Sequence, residues 1–304
     1  MNLTRLLALY QLHLRKSVTQ AALAMHLTPS AVSQHISMLE QEYGIRLVER
    51  QGRGLKLTMA GQEMVLHAGR ILDELQAARA SMAHLKDNVT GSLTICSFPS
   101  AGTVILPAVT RSLAEAYPML TVLSRELEPE EGLVALRAWE VDMAVVDDVI
   151  IDPVPDEQIE VLPLMEDEFV VMLPADHPLA KKQTVPVKAL QNERWVNDAW
   201  ASNSYTDVVI KQCREQGFTP KFIALCKDYT MASTFVRESN AVFMLAGLRR
   251  LCPSEGVVFR RLEPVLKRSI SVVLRRSEHK APAIQAALDH LKKRAEELKR
   301  RLSF

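Results

Sequence analysis

A helix with two unlike faces is indicated by the stretch Thr28-Pro29-Ser30-Ala31-Val32-Ser33-Gln34-His35-Ile36-Ser37-Met38-Leu39-Glu40. Thr28 is a favourable N-cap, and Pro29 suits the first helical position, where a missing N–H costs nothing. Apolar side chains follow at spacings of four and three residues, which places one stripe on one side of the helix. The opposite side carries small or amide side chains that can enter a major groove and meet base edges, Ser30, Ser33, Gln34 and Ser37. An ordinary amphipathic surface helix is the alternative interpretation.

The residues just upstream favour the DNA-reading interpretation. Ser17-Val18-Thr19-Gln20 has the form of a capping box and predicts a short helix that runs to about residue 25. Two short helices joined by three residues are typical of a helix-turn-helix, whose second helix lies in the major groove. The residues predicted to contact DNA from these two helices are Ser17, Thr28, Pro29, Ser30, Ala31, Ser33, Gln34 and Ser37.

This segment resembles the N-terminal domain of LysR-type transcriptional regulators, a bacterial family. The order and spacing of the matching residues carry the resemblance: Ser17, Ala21-Ala22, Leu27, Ser30-Ala31-Val32-Ser33, Ile36, Leu39-Glu40, Gly44, Leu47, Arg50, Leu57-Thr58 and Ala60-Gly61. The family often has Phe where Val48 stands, and Gln and Arg where Pro29 and Gln34 stand. The last two differences fall at base-contacting positions, so the resemblance implies no particular operator sequence.

A β-hairpin wing is predicted after Gly44. Residues 45–50 and 55–57 read as two short strands around a turn at 51–54. Arg50, Arg53 and Lys56 are expected to contact phosphates, the alternative being a charged hairpin that faces water. Residues 1–58 are therefore expected to form an all-α winged helix-turn-helix domain.

A long helix is predicted from Thr58 to about residue 88, as a linker that spans 59–90. Apolar residues recur along it at alternating spacings of four and three, which is the pattern of a coiled-coil seam. The seam consists of Met64, Ala68, Ile71, Leu75, Ala78, Met82 and Leu85. We expect a homodimer, because two recognition helices about one DNA turn apart read an interrupted inverted repeat. A helix packed on its own domain is the alternative.

Strands alternate with helices from residue 92 onward, which predicts parallel α/β structure. This half resembles the family's effector domain, a two-lobed α/β fold of the periplasmic-binding-protein type over residues 91–304. The resemblance implies lobe I at 92–163 and 268–304, lobe II at 164–267, and hinges near Leu164 and Lys267. It also implies that dimers assemble into a homotetramer. Gly247 departs from the Pro that many members have at that position.

An effector cleft is expected between the lobes, since ligands of open α/β sheets bind beyond the carboxyl ends of the strands. Hydroxyls and helix-start amides there suit a carboxylate or an amino acid. The candidate effector residues are Ser97, Phe98, Ser100, Ala101, Gly102 and Thr103 in lobe I, with Asn197, Asp198, Asp228, Tyr229 and Thr230 in lobe II. Glu126, Glu128, Asp147 and Asp148 also follow strands, and we interpret them as solvated loop acids unless several line the cleft; in that case the ligand should also carry a cation.

Composition excludes several other classes of protein. The 304 residues are 48% hydrophobic and 24% charged, with a net charge of only +1, although residues 1–60 carry an excess of four positive charges that suits phosphate contact. Neither a signal peptide nor a membrane span is expected, so we predict a cytoplasmic protein. RNA polymerase is a conceivable partner of such a regulator.

The sequence predicts a protein that is not an enzyme and needs no cofactor or metal. It has no Gly-rich phosphate loop, no metal-ligand cluster and no nucleophile motif. Cys96, Cys213, Cys226 and Cys252 are far apart and form no C-x-x-C pair. Three rival interpretations remain: an enzyme with a DNA-binding appendage, an architectural DNA-binding protein, and a redox switch at Cys213 and Cys226, since peroxide-sensing relatives use a cysteine pair in lobe II.

Overall fold

The computed structural model describes residues 2–51, 54–84, 89–149, 158–198, 204–252 and 254–302. Three helices begin the chain, α1 (Leu3–Arg15), α2 (Val18–Ala24) and α3 (Pro29–Tyr43). Helices α2 and α3 start at their predicted caps: the Ser17 hydroxyl accepts from the Gln20 amide at 3.4 Å and that of Thr28 from the Ala31 amide at 3.2 Å. Gly44, at φ 65°, ends α3 in the left-handed conformation that glycine adopts without strain. The apolar faces meet in one core, around Leu6, Leu9, Val32, Ile36 and Leu39.

The wing consists of β1 (Val48–Gln51) and β2 (Gly54–Leu57), paired antiparallel. It is tied to α3 by the buried carboxylate of Glu40, which accepts from the amides of Leu47 at 2.8 Å and Val48 at 3.2 Å. The strand that was predicted from residue 45 begins at Val48, because these two contacts engage the amides that precede and open it.

The linker helix α4 (Met59–His84) has 26 residues and is about 39 Å long at 1.5 Å per residue. Its start packs closely on the wing: a Cβ at Gly61 would lie 2.0 Å from the carbonyl oxygen of Leu47, so no other residue fits. Val65, Ala68 and Leu72 are buried in the core of the N-terminal domain. The first half of α4 is therefore part of that domain.

The α/β half contains one sheet of ten strands in two parts, joined by two crossing strands. The elements of lobe I are β3 (Gly91–Ser97), α5 (Pro99–Val104), α6 (Leu106–Ala116), β4 (Leu120–Glu126), α7 (Pro129–Arg137) and β5 (Met143–Asp147). The long strand β6 (Ile159–Pro174) leads into lobe II, made of β7 (Thr184–Pro186), β8 (Arg194–Asp198), α8 (Ser204–Glu215), β9 (Lys221–Cys226), α9 (Tyr229–Ser239), β10 (Ala241–Ala246) and β11 (Val257–Glu263). The chain returns through β12 (Lys267–Arg275) and ends in α10 (Pro282–Leu302).

The strand order is β4-β3-β5-β12-β6-β10-β8-β9, with β11 beside β6 and β7 beside β11. In lobe I, parallel pairs join β3 to β4 and to β5. In lobe II, parallel pairs join β8 to β9 and to β10. The crossing strands β6 and β12 pair antiparallel with each other, and β12 also pairs antiparallel with β5. The sequence predicts two strands at 159–164 and 169–174, but the structure has the single strand β6. Its first part pairs with β12 and its last part with β10 and β11, so one strand serves both lobes.

The helix predicted over 102–117 is also different, because it is divided into α5 and α6 at Ile105. Pro107 has no N–H to continue the hydrogen-bond ladder across this point, so a new helix starts there. The first of these two helices, α5, begins directly after β3. The residues of its first turn lie at the edge of lobe I that faces lobe II.

The N-terminal domain contacts lobe I at the end of α7. The rings of Tyr10 and Trp139 lie 5.3 Å apart, and the Gln11 side chain donates to the carbonyl of Ala138 at 3.5 Å. Arg15 pairs with Glu140. Trp139 has φ 58°, a left-handed conformation that is rare and strained for a large side chain.

Candidate functional site: a DNA-reading helix and an interlobe cleft

The polar face of α3 is exposed. Thr28, Pro29, Ser30, Ser33, Gln34 and Ser37 are exposed, and Ala31 is half-buried. The Ser33 hydroxyl donates to the Pro29 carbonyl at 3.0 Å, and the hydroxyls of Thr28 and Ser30 lie 2.9 Å apart. These local bonds hold the first turn rigid while its outer surface stays open to a partner.

The remaining predicted DNA contacts surround this face. Ser17 is half-buried and caps α2, and Arg50 and Lys56 are exposed on the two strands of the wing. Arg53 lies outside the described residues. The first turn of α3 and the wing thus form a polar and basic surface on the N-terminal domain, whose shape suits a groove and its flanking phosphates.

The predicted coiled-coil seam is divided along α4. Met64, Ala68 and Ile71 pack in or against the core of the N-terminal domain. Leu75 and Met82 are 43% and 58% exposed, Ala78 is exposed, and Leu85 lies outside the described residues. Among the described residues of the seam, those in the second half of the helix are exposed.

The lobes enclose a cleft whose free space, counting the part open to solvent, is about 670 Å³. Among the described residues its lining includes Phe98, Ser100, Asn197, Asp198, Asp228 and Tyr229, all predicted from the sequence. They come from the ends of β3, β8 and β9, as the rule for strand ends requires. The structure thus brings together six of the eleven predicted effector residues.

The other five do not line the cleft. Ser97 is fully buried and donates to the carbonyl of Phe98 at 3.3 Å, and Ala101 is part of the lobe I core. Gly102 lies above Ser97, and the Thr103 hydroxyl donates to the Pro99 carbonyl at 2.7 Å. Thr230 is exposed on α9, whose first turn points its Tyr229 side chain into the cleft instead.

A buried arginine lies beneath the cleft, and sequence reasoning missed it. The Arg268 side chain is fully buried and donates to Asp147 at 2.9 Å, to Asp167 at 2.7 and 3.0 Å, and to the Ser100 hydroxyl at 2.9 Å. The Phe98 ring lies 4.9 Å from its guanidinium carbon. Burial raises the pKa of Asp167, and Arg268 opposes that rise. No local signal marks this pair, because both crossing strands carry other charged residues, such as Glu166, Glu168 and Lys267.

The cleft contains further residues that the sequence analysis did not assign to it. Glu128 and Pro129 contribute from the start of α7, and Lys227 and Arg249 from lobe II. Arg249 stacks on the Tyr229 ring at 5.1 Å, and burial raises the pKa of the Tyr229 hydroxyl. An apolar wall completes the cleft, formed by Cys226, Ala232, Phe243, Met244, Leu245 and Ala246.

Glu128 has a strongly altered acidity. Its pKa is raised to about 7, first by burial and then by the charges of Asp198, Glu131, Asp147 and Glu126. Its Oε1 atom is shielded from solvent and has no hydrogen-bond partner among the described residues. The sequence predicts a solvated loop acid at Glu128 unless several of these acids line the cleft, and the structure places Glu128 and Asp147 in the lining.

The surroundings of Cys213 and Cys226 disfavour a redox pair of reactive thiolates. Cys213 is fully buried in the lobe II core, and burial raises its pKa to about 12. Burial, with Asp198 and Asp228, also raises the pKa of Cys226. A thiolate is the nucleophile in thiol chemistry, so these surroundings disfavour reaction.

Two absences apply to the part of the chain that the structure describes. No helix there is long and apolar enough to cross a bilayer. No group of three or more His, Cys, Asp or Glu residues there could hold a metal ion.

Comparison with known proteins identifies the family. The family model described as "Bacterial regulatory helix-turn-helix protein, lysR family" matches residues 3–62, and "LysR substrate binding domain" matches residues 86–296. A probable hydrogen peroxide-inducible genes activator of Mycobacterium xenopi is 35% identical over 55% of this chain and 86% of its own length. The transcriptional dual regulator GltC of Bacillus subtilis is 26% identical over 84% of each chain.

Solved structures agree in fold. A full-length OxyR variant of Pseudomonas aeruginosa, 21% identical, has a TM-score of 0.69 over 96% of this chain and 95% of its own. Full-length CbnR complexed with its target DNA, 20% identical, has a TM-score of 0.57 over 97% of this chain and 100% of its own. The predicted fold class is confirmed, and the relatives are regulators, not enzymes, as the sequence predicted. Regulators of this family bind DNA and small-molecule effectors and oligomerise, and this chain belongs to the LysR family of transcriptional regulators.

Proposed function

We propose that the protein is a sequence-specific regulator whose operator binding, or the bend it imposes on DNA, is switched by a small molecule in the interlobe cleft. The observation that carries the proposal is the position of the cleft. It lies between two lobes that the strands β6 and β12 connect, so a ligand that touches both lobes changes the angle between them. Bending an operator costs about 1–6 kcal/mol on smooth elastic estimates, and a ligand's differential affinity is sufficient to offset that cost.

The partners follow from the same arrangement. The exposed stripe Leu75, Ala78 and Met82 supports pairing of two linker helices, so that a homodimer reads an interrupted inverted repeat of double-stranded DNA. Dimers assemble into a homotetramer through the α/β domains, and the bound regulator acts on RNA polymerase in the cytoplasm. The effector is a small carboxylate or an amino acid, since Ser100 and Asn197 offer polar groups at the edges of the cleft.

Gln34 tests the DNA-reading surface. Operator duplexes are first selected from random sequence with the full-length protein, and competition gel shifts then compare Gln34→Ala with wild type. We expect the variant to lose roughly 1–3 kcal/mol of discrimination at one base pair of each half-site, because the amide reads a base edge. Gln41→Ala, an exposed glutamine nearer the end of α3, is the matched control and should keep full specificity. Unchanged discrimination by Gln34→Ala would place the reading surface elsewhere.

Footprinting tests the switch. The selected operator is footprinted with and without amino acids and small carboxylates, and an active compound should alter the length of the protected region or the cleavage within the bend. Broad protection that no compound alters, together with no sequence preference, is the result expected of an architectural DNA-binding protein and would contradict the proposal.

A further inference from the structure

The electrostatic character of the cleft selects among effectors. Its described lining contains four carboxylates, Glu128, Asp147, Asp198 and Asp228, against two cations, Lys227 and Arg249. The cation beneath it, Arg268, is already matched by Asp147 and Asp167 at 2.7 to 3.0 Å. When Arg268 and its partner Asp167 are included, five carboxylates stand against three cations, so an incoming anion meets an excess of negative charge.

The helix starts at the cleft also carry negative charge. The Asp228 carboxylate accepts from the Met231 amide at 2.7 Å and so caps α9. At the start of α7, Glu131 accepts from the Glu128 amide at 3.2 Å, and Glu128 itself lies at the N-cap. Amides near the starts of α7 and α9 are therefore engaged by the chain's own carboxylates, whereas the start of α5 at Phe98 has no side-chain cap.

The Glu128 carboxylate is positioned to accept a hydrogen bond from a bound ligand. It is half-buried at the mouth of lobe I, its Oε1 atom is shielded from solvent, and no donor among the described residues reaches that atom. The facing wall in lobe II contains Asp198, whose charge is among the groups that act on Glu128. A buried carboxylate oxygen without a donor is costly, and a cationic donor removes that cost.

We propose that the effector carries an ammonium or guanidinium group, which binds between Glu128 of lobe I and Asp198 of lobe II and so holds the lobes together. The rest of the ligand lies along the aromatic and apolar wall that includes Phe98, Tyr229 and Phe243. This inference rests on the proposed function and revises its ligand class: an amino acid still fits, a diamine also fits, and a simple dicarboxylate does not.

The test uses the full-length protein and three four-carbon compounds, 1,4-diaminobutane, 4-aminobutanoate and butanedioate, with shorter and longer members of each series. Calorimetry and thermal shift should show binding by members that carry an ammonium group and none by the dicarboxylates. Glu128→Gln, which keeps the shape and removes the charge, should weaken amine binding at least tenfold. Glu130→Gln, an exposed neighbour on α7, is the matched control and should bind as wild type does.

The pH dependence of amine affinity distinguishes the effect of the Glu128 charge from the effect of its shape. Groups that face Glu128 are Asp198, Glu131, Asp147 and Glu126, and the cleft adds Lys227, Asp228 and Arg249. Since the Glu128 pKa is about 7, amine affinity should rise about tenfold between pH 6 and pH 8 as this carboxyl ionises. The rise should disappear in Glu128→Gln. Asp198→Asn, from the opposite lobe, gives an independent variant in case Glu128→Gln does not fold.

Each outcome decides the matter. Dicarboxylates that bind as tightly as amines, or amines whose affinity Glu128→Gln leaves unchanged, would overturn the inference and leave the proposed function intact. The inference also fails if carboxylates bind and no amine binds, even at 10 times the highest carboxylate concentration needed to detect binding. If no member of any series binds or alters the operator footprint, the inference and the proposed function fail together.

Discussion

At the scale of single residues, Arg268 determines the electrostatics of the effector domain. Arg268 lies on β12, and its guanidinium donates hydrogen bonds both to Asp147, at the end of β5 in lobe I, and to Asp167 on the crossing strand β6. A buried charge is tolerated only when it is paired and hydrogen-bonded, and here three acceptors lie within 3.0 Å. The triad therefore stabilises the floor of the cleft, and it does so without leaving a free positive charge for a ligand.

Replacing Arg268 tests this role. Arg268→Met leaves Asp147 and Asp167 buried without their cation, so we expect a loss of about 3–5 kcal/mol in the free energy of unfolding at pH 7. Buried carboxyls with raised pKa values destabilise the fold as pH rises through the range where they ionise, so the loss should shrink in acid. Urea denaturation measures both effects. Arg111→Met, at a largely exposed arginine, should change stability by less than about 0.5 kcal/mol.

Cys213 gives a second test at this scale. Because burial raises its pKa to about 12, iodoacetamide at pH 8 should leave it unmodified in the folded protein. Cys252, which is partly exposed, should react first, and all four thiols should react in urea. Mass spectrometry after peroxide treatment should find no disulfide between Cys213 and Cys226; such a bond in the folded protein would favour the redox switch.

At the scale of secondary structure, α4 has two different environments. Its first half packs in the core of the N-terminal domain, with Ala68 fully buried, and its second half exposes Leu75, Ala78 and Met82. The heptad spacing is the same in both halves, so spacing alone does not distinguish the residues that face a partner from those that face the same subunit.

A pair of substitutions separates these environments. Leu75→Glu should give a folded monomer with weak DNA affinity, because it charges only the exposed stripe. Ala68→Glu should instead unfold the N-terminal domain, since a carboxylate would be buried there without a partner. Light scattering reports the mass and circular dichroism the helix content. A dimer of normal mass from Leu75→Glu would exclude this stripe as the pairing surface.

At the scale of the whole molecule, α7 joins the cleft to the N-terminal domain. Its first residues, Glu128 and Pro129, line the cleft, and Trp139, just beyond its end, packs on Tyr10 of α1. The distance along the nine-residue helix is about 14 Å at 1.5 Å per residue. We therefore expect a shift of α7 on closure of the lobes to reach the N-terminal domain.

Removal of the Trp139 ring should loosen this contact. Trp139→Gly deletes the ring and also relieves the strain of the left-handed conformation, so any weakening reflects lost packing on Tyr10. We expect faster hydrogen exchange in α1 and weaker coupling between effector and operator, with effector affinity itself unchanged. Hydrogen exchange and footprinting check this; unaltered exchange and full coupling would show that the contact carries no signal.

The sequence by itself determined the features that depend on neighbouring residues. The caps at Ser17, Thr28 and Thr58, the helix-turn-helix and the alternation of strands and helices follow from contacts within a few positions. The family and the two-lobed fold were expected from the resemblance to LysR-type regulators, and the comparisons confirm both the family and the fold class. The alternation of strands and helices also predicted that the cleft lies at the strand ends.

Only the tertiary structure decided which side chains meet in that cleft. Arg268 lies 121 residues from Asp147 and 101 from Asp167, and Trp139 packs on a ring from the first helix. The strands beside β3, α5 and α7 orient these three elements. Their orientation decides whether Ser97 or Ser100 faces the cleft, and whether Glu128 faces water or the cleft. Such orientations arise from packing between distant segments, which local sequence patterns do not encode.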